Sequence, residues 1–231
     1  MPTMPTTSNL EIAKPFTLPC GLVLPNRLVK AAMTEEMGHG DRLPNDAICA
    51  LYRTWAQGNW GMILTSAVHI DAAHAGSHAA LTIDASLPPS TTHAAFHAWA
   101  QACHGDGNSQ TPTPSILQIH HPGRQSPLGA GKRPLLAKAI APSAIPLDLG
   151  PGLIARAAGH LVFGTPRAMT VEEIQSVVAQ FAAAARIAAE TGFDGCQIHA
   201  AHGYLLAQFL SGEGNVREDD CRFFFSFQYF L

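Results

Sequence analysis

Two imidazoles and a phenol, His199, His202 and Tyr204, stand within six positions, directly after the short apolar run Gly195-Cys196-Gln197-Ile198. If that run is a strand, the three side chains sit at or just past its C-terminal end. In a barrel of parallel strands that rim is where the chemistry is done. A His pair there can donate two hydrogen bonds to a carbonyl oxygen, and a Tyr can hand over a proton. Taken alone, the His-x-x-His spacing equally describes surface or core histidines at helical spacing, or two ligands of a metal. A zinc site needs a third protein ligand, and Glu213, Glu218, Asp219 and Asp220 leave that reading open on spacing.

The elements that must position these residues are legible from periodicity. Phe16 to Leu24 reads as a hairpin with Gly21 at its turn. Leu28–Met33 is a first buried strand, and Asp46–Gln57 is an amphipathic helix with Ile48, Leu51, Tyr52 and Trp55 at three- and four-residue steps. Gly61–Val68 is a second strand, Thr92–Cys103 a helix with Phe96, Trp99 and Cys103 on one face, and Ser115–His120 a third strand. Residues 122–166 are rich in Gly and Pro with little periodicity, which marks a functional lid or binding excursion. Thr170-Val171-Glu172-Glu173 is a capping box opening a helix that Gly192 stops, and the fourth strand follows at Gly195. Short apolar strands separated by helices predict an α/β protein with a parallel sheet. No G-x-G-x-x-G follows the first strand, and polar residues at successive strand ends favour a TIM (β/α)8-type barrel over a Rossmann fold.

Composition narrows the classes. The chain has 231 residues, 47% of them hydrophobic and 13% charged, with a net charge of -3. No basic run or stripe suggests a nucleic-acid partner. Five scattered cysteines without a C-x-x-C favour a reducing, cytoplasmic setting. The N-terminus shows no signal peptide, and no apolar run reaches the ~18 residues of a membrane span, so no membrane partner is expected.

Several segments together resemble the Old Yellow Enzyme family of FMN-dependent NADH:flavin oxidoreductases. Leu24-Pro25-Asn26-Arg27-Leu28-Val29-Lys30-Ala31-Ala32-Met33-Thr34 is similar to its first-strand motif, and Ile116 to Gln125 is similar to its third-strand motif. Ala188 to Gly195 leads into the His-x-x-His-Gly-Tyr segment as in the family, and Asn215-x-Arg217-x-Asp219 matches the start of its next signature. The resemblance covers roughly residues 12 to 219. It implies that Ala32, Met33 and Thr34 line the flavin, with Thr34 near its reactive edge. Ala67 would approach the ring closely, or be a small core residue, and Gln118 would bond the pyrimidine part or serve structure alone. His199 and His202 would grip a substrate carbonyl oxygen, and Tyr204 would protonate the α-carbon. The implied reaction uses NADPH or NADH to reduce FMN, then delivers a hydride to an activated C=C bond of an enone or quinone-like small molecule, secondary metabolites included. Homo-oligomerisation stays open. Arg27 and Arg124 read as salt-bridge formers rather than phosphate clamps, His120 and His121 as packing residues, and the 122–166 excursion as the region that shapes substrate choice.

The pattern breaks after Asp219. The family continues into further strand–helix units, whereas six of this chain's seventeen aromatics crowd its last residues. The expected organisation is an N-terminal tail (1–15), a partial FMN-binding barrel of four strand–helix units (16–219) and an atypical aromatic tail (220–231). The phosphate site of such barrels is typically built after strands seven and eight. The expectation is a C-terminally truncated FMN-dependent ene-reductase. The alternatives to that function are a non-catalytic half-barrel lacking the phosphate site and a His-x-x-His metal hydrolase.

Overall fold

The hairpin forms first along the chain. In the computed structural model, which describes residues 10–105 and 112–222, β1 (Phe16–Thr17) pairs antiparallel with β2 (Val23–Leu24), in the register Phe16↔Leu24. Gly21 takes φ +89 at the turn, the left-handed region the sequence reserved it for. The expected tail segments 1–9 and 223–231 lie outside the described residues.

The chain forms two compact units. The first comprises Met1–Val68, Ala79–Ile119 and Ala183–Gln197, and the second His69–His78, His120–Ala182 and Ile198–Leu231.

The first unit is built on a four-stranded sheet with strands in the order β3 (Val29–Lys30), β4 (Met62–His69), β5 (Ser115–His120) and β8 (Gly195–Ile198). Neighbours in the sheet follow the order of the sequence, and β3 and β4 run parallel with Val29 opposite Met62. Helices separate the strands, so this is the α/β arrangement of a (β/α)8-type barrel over four strands. The first strand is shorter than its apolar run predicts. Only Val29 and Lys30 hold ladder positions, and the chain from Ala31 to Thr34 leaves the sheet. Gly61 lets β4 start beside that strand, because a Cβ there would lie 2.1 Å from the Asn26 carbonyl oxygen.

α1 (Asp46–Ala56) is capped by Asn45, whose side chain accepts from the Ile48 N–H, and it buries Ile48, Cys49 and Tyr52. α2 (Pro89–His104) starts three residues earlier than the periodicity predicts, because Pro89 is preorganised for a first helical turn. The two helices meet through Tyr52 and Trp99, edge-to-face at 5.1 Å, and Phe193 packs edge-to-face against Trp99 at 6.0 Å. Beneath them lies a buried polar knot. The Lys30 ammonium sits 3.2 Å from Glu35, 3.4 Å from the Tyr52 hydroxyl and 4.0 Å from the Trp55 ring. Burial lowers its pKa and Glu35 opposes that shift.

In the second unit, α4 (Val171–Thr191) begins on the expected capping box. The Thr170 hydroxyl accepts from the Glu173 N–H at 3.2 Å, and the Glu173 carboxylate accepts from the Thr170 N–H at 3.0 Å. The 122–166 excursion is more ordered than its sequence suggests. It holds a short 3-10 turn at Gly123–Gln125, the strand β6 (Ile140–Ala141) and the ten-residue helix α3 (Leu153–Val162). β6 pairs parallel with β7 (Arg167–Ala168) just beyond it. Buried Arg133 organises the loop by donating to the carbonyls of Ala73, Ser126, Pro127, Ala130 and Ala137. These five bonds satisfy backbone acceptors that no ladder reaches.

Candidate active site

Two sets of residues carry the candidate chemistry, one in each unit.

After β8, which ends at Ile198, the second unit turns through His199-Ala200-Ala201-His202-Gly203 into α5 (Leu205–Leu210). His199, His202 and Tyr204 come together in that turn. Ring centroids lie 4.9 Å apart for the two imidazoles, 5.0 Å for His199 and Tyr204, and 6.2 Å for His202 and Tyr204. His202 takes φ +55, a left-handed conformation uncommon for a residue with a Cβ, and Gly203 follows at φ +70. Backbone in that region persists only where its surroundings hold it, and it clusters at functional turns.

The supports are two glutamines that sequence reasoning missed. The Gln125 amide donates to the His202 carbonyl at 2.7 Å. Gln208, fully buried on α5, donates to the carbonyls of Gly203 at 2.8 Å and Pro122 at 3.1 Å and accepts from the Arg124 N–H at 3.2 Å. It thus ties the turn after β8 to the turn after β5. Gly123 allows this approach, since a Cβ there would meet the Gln208 side chain at 2.3 Å. A buried Gln in an apolar helix stretch was the one available signal, because such a group must find partners.

The turn also fixes a proton. The Ala201 N–H donates to His199 Nδ1 at 3.2 Å. Nδ1 therefore presents its lone pair, and the neutral ring carries its hydrogen on Nε2. Burial, and then the nearby His202, lower the His199 pKa and favour that neutral form. The result is an uncharged N–H donor on a ring whose orientation is set by the backbone.

His120 packs beneath this group as expected of it. It is buried, with its ring 4.7 Å from Tyr204 and 5.7 Å from His199, and its Nε2 is 3.1 Å from His69 Nε2. Burial, reinforced by three neighbouring imidazoles, holds its pKa well below the usual histidine value.

Among the described residues, one grouping has the composition of a metal site: Asp71, His74 and His121. It does not include His199 or His202. His121 accepts from the Gly123 N–H at Nδ1, 3.0 Å away, which places its own hydrogen on Nε2, facing Asp71 at 3.5 Å. A protonated Nε2 is no metal ligand. Asp71 instead gathers donors, from His74 at 2.6 Å and the Ala73 N–H at 2.8 Å. Among the described residues, none of the acidic side chains after Leu210 joins His199 or His202 in such a grouping, and Asp219 is engaged by Arg217.

The residues for which the resemblance implies flavin contact lie in the first unit. Met33 and Thr34 are exposed, Ala32 is half-buried and Ala67 is buried in β4. Gln118 on β5 donates its amide to the Gln197 oxygen of β8 at 2.6 Å. The bond leaves Gln118 Oε1 as an acceptor and Gln197 Nε2 as a donor for a further partner. β8 is less buried than its apolar run predicts, with Cys196, Gln197 and Ile198 all exposed. Arg27 stacks over Phe16 at 5.2 Å, and Arg124 donates to the Ile145 and Pro146 carbonyls, in place of the salt bridges expected of them.

The model of the NADH:flavin oxidoreductase / NADH oxidase family matches residues 11–221. The NADH-dependent flavin oxidoreductase iliE of Neonectria sp. (strain DH2) is 52% identical over 212 residues, covering 92% of this chain and 27% of that protein. The NADH-dependent flavin oxidoreductase iccE of Talaromyces variabilis is 46% identical, covering 92% of this chain and 50% of that protein. The chain therefore spans half or less of the length of these curated relatives. Among solved structures, an Old Yellow Enzyme homologue from Zymomonas mobilis superposes with a TM-score of 0.73 at 27% identity, covering 92% of this chain and 54% of its own. Morphinone reductase in complex with tetrahydroNAD superposes equally well, with a TM-score of 0.73 at 27% identity and coverage of 91% and 55%.

Proposed function

We propose, for a chain that belongs to the NADH:flavin oxidoreductase / NADH oxidase family, that it carries the carbonyl-binding and flavin-contacting residues of an FMN-dependent reductase of activated C=C bonds. The observation that carries this reading is the fixed tautomer of His199, with Nδ1 bonded to the Ala201 N–H and Nε2–H free to donate. A conjugated carbonyl oxygen gains negative charge as its alkene is reduced, and a preorganised neutral donor stabilises that charge without reorganising. His202 offers a second ring at 4.9 Å. The Tyr204 hydroxyl is the group of this turn able to give a proton to the α-carbon.

The residues of the first unit fit FMN by the chemistry of their donor set. The acceptor of Gln118 and the donor of Gln197 match a pyrimidine edge of alternating N–H and C=O groups, Met33 offers an apolar surface to a ring, and Thr34 a hydroxyl. When bound, FMN supplies the hydride, and NADH or NADPH restores it. The substrate class is an α,β-unsaturated carbonyl compound.

The test is the visible spectrum of the purified chain with added FMN, then NADH or NADPH, then an enone. A bound flavin peak that bleaches with the nicotinamide and returns with the enone is the expected result. A chain that stays colourless after FMN is added and the free flavin removed would show that these residues do not hold the cofactor on their own.

A further inference from the structure

The excursion between Pro122 and Pro166 carries a surface that the reductase chemistry does not use. At its first protrusion, Lys132-Arg133-Pro134-Leu135-Leu136-Ala137-Lys138, Leu136 is 84% exposed and Leu135 66%, with exposed Lys132 and Lys138 on either side. The second is α3. Leu153 (84% exposed), Ile154 (88%) and Leu161 (78%) share one stripe with exposed Ala157, at spacings of one, four and eight residues. On the opposite side, buried Gly159 lets the helix rest against Leu147 and Leu149. Arg156 and His160, four residues apart and exposed, flank the apolar stripe.

The two protrusions belong to one unit and are physically joined. Leu135 packs on Gly129, and the neighbouring Leu128 N–H bonds the Val162 carbonyl at the end of α3 at 2.8 Å. The charge is equally local. Residues 122–166 hold five Lys or Arg and a single acid, Asp148, within a chain whose net charge is -3. The rest of the molecule is therefore acidic, and three of these five cations, Lys132, Lys138 and Arg156, are exposed on the two segments that carry the exposed leucines.

Scattered single leucines on a surface need no explanation, but a leucine pair and a helical apolar stripe, each bordered by basic side chains, form a distinct pattern. Aliphatic side chains at the tips with Lys and Arg set back from them are the arrangement that enters the boundary between headgroups and acyl chains of an anionic bilayer. We propose that α3 and the Leu135–Leu136 protrusion form a docking surface for an anionic lipid bilayer, with the leucines and Ile154 inserted and Lys132, Lys138 and Arg156 at the level of the phosphates. Among the described residues no helix is long and apolar enough to cross a membrane. A peripheral surface requires none, and it would bring a lipophilic substrate within reach of the molecule.

Flotation of the whole chain with vesicles tests this directly. Binding to phosphatidylcholine–phosphatidylserine vesicles is expected, with weaker binding to pure phosphatidylcholine and at raised salt. The pairs Leu135→Ser with Leu136→Ser and Leu153→Ser with Ile154→Ser should each reduce the bound fraction at least tenfold, on the order of what losing two inserted aliphatic side chains implies. Lys138→Gln with Arg156→Gln should lose on the order of tenfold on the anionic vesicles alone. Circular dichroism should show all three variants folded, because every substituted side chain is exposed. Absence of binding to either vesicle, or binding indifferent to the leucine variants, overturns the proposal. So does a dimer in sedimentation velocity that the leucine variants convert to monomer, since the surface would then be a contact between copies.

Discussion

The Ala201 N–H points at His199 Nδ1 from 3.2 Å, so one backbone bond decides which nitrogen of the ring can serve a ligand. The donor at Nε2 follows from the shape of the turn, and that shape depends on a left-handed His202 held by Gln125 and Gln208. Nitrogen-resolved NMR of the histidine rings should show His199 as the Nε2–H tautomer near neutral pH. In an enzyme competent for enone reduction, His199→Ala should lower turnover roughly 10²- to 10³-fold, the usual cost of deleting one oxyanion donor. An Nδ1–H tautomer would remove the basis of the assignment.

Gln208 should behave as a structural linchpin rather than a surface amide. Gln208→Leu keeps the volume but orphans the buried Pro122 carbonyl, the half-buried Arg124 N–H and the carbonyl of exposed Gly203. A loss of about 2–4 kcal/mol in urea unfolding is expected, from roughly 1–3 kcal/mol per unsatisfied buried group with partial relaxation. Gln125→Ala, at a half-buried position, should cost less stability while loosening His202.

Acid should weaken the fold before its carboxylates titrate. Burial keeps both His120 and His121 neutral in the folded chain, with pKa values lowered from 6.5, while the unfolded chain binds protons there at the ordinary value. A depressed folded pKa contributes stability that is complete above 6.5 and falls as pH drops below it. Urea midpoints measured from pH 8 down to about pH 5 should decline from near 6.5, and His120→Phe should flatten part of that decline. A flat profile in the parent chain would contradict neutral burial.

A second acid phase should belong to Glu173. Its carboxyl is lowered to about 2, first by the Arg167 side chain and further by the Thr170 N–H. Its contribution is present above the unfolded value and disappears as pH falls from about 4.5 towards 2. Both partners are substantially exposed, with side chains 46% and 34% accessible, so screening keeps the effect small. Glu173→Gln retains the cap but removes this small contribution at neutral pH and flattens the acid limb below about 4.5, whereas Thr170→Ala should cost about 1 kcal/mol at neutral pH.

In the first unit, Trp99 is the central anchor, wholly buried between Tyr52, Phe96 and Phe193. Trp99→Ala should cost on the order of 3–5 kcal/mol by thermal or chemical unfolding, and Trp99→Phe much less, because a ring still fills most of the space.

The sequence by itself determined the strand–helix alternation, the Thr170 capping box, the helices around Tyr52 and Trp99, and the grouping of His199, His202 and Tyr204. These are local facts. Hydrophobic period and cap chemistry act over a few residues, and three reactive side chains within six positions need only one turn to meet. What the tertiary structure decided is of another kind. The ring tautomers of His199 and His121 depend on which backbone N–H reaches each Nδ1. The roles of Gln208 and Gln125 rest on contacts 77 to 86 residues away along the chain. α3 escaped notice because Gly150, Gly152 and Gly159 obscure its period, and its apolar stripe faces outward rather than into a core. Periodicity reports that one face of a segment is apolar. Only packing decides whether that face meets a core, a ligand or the surroundings.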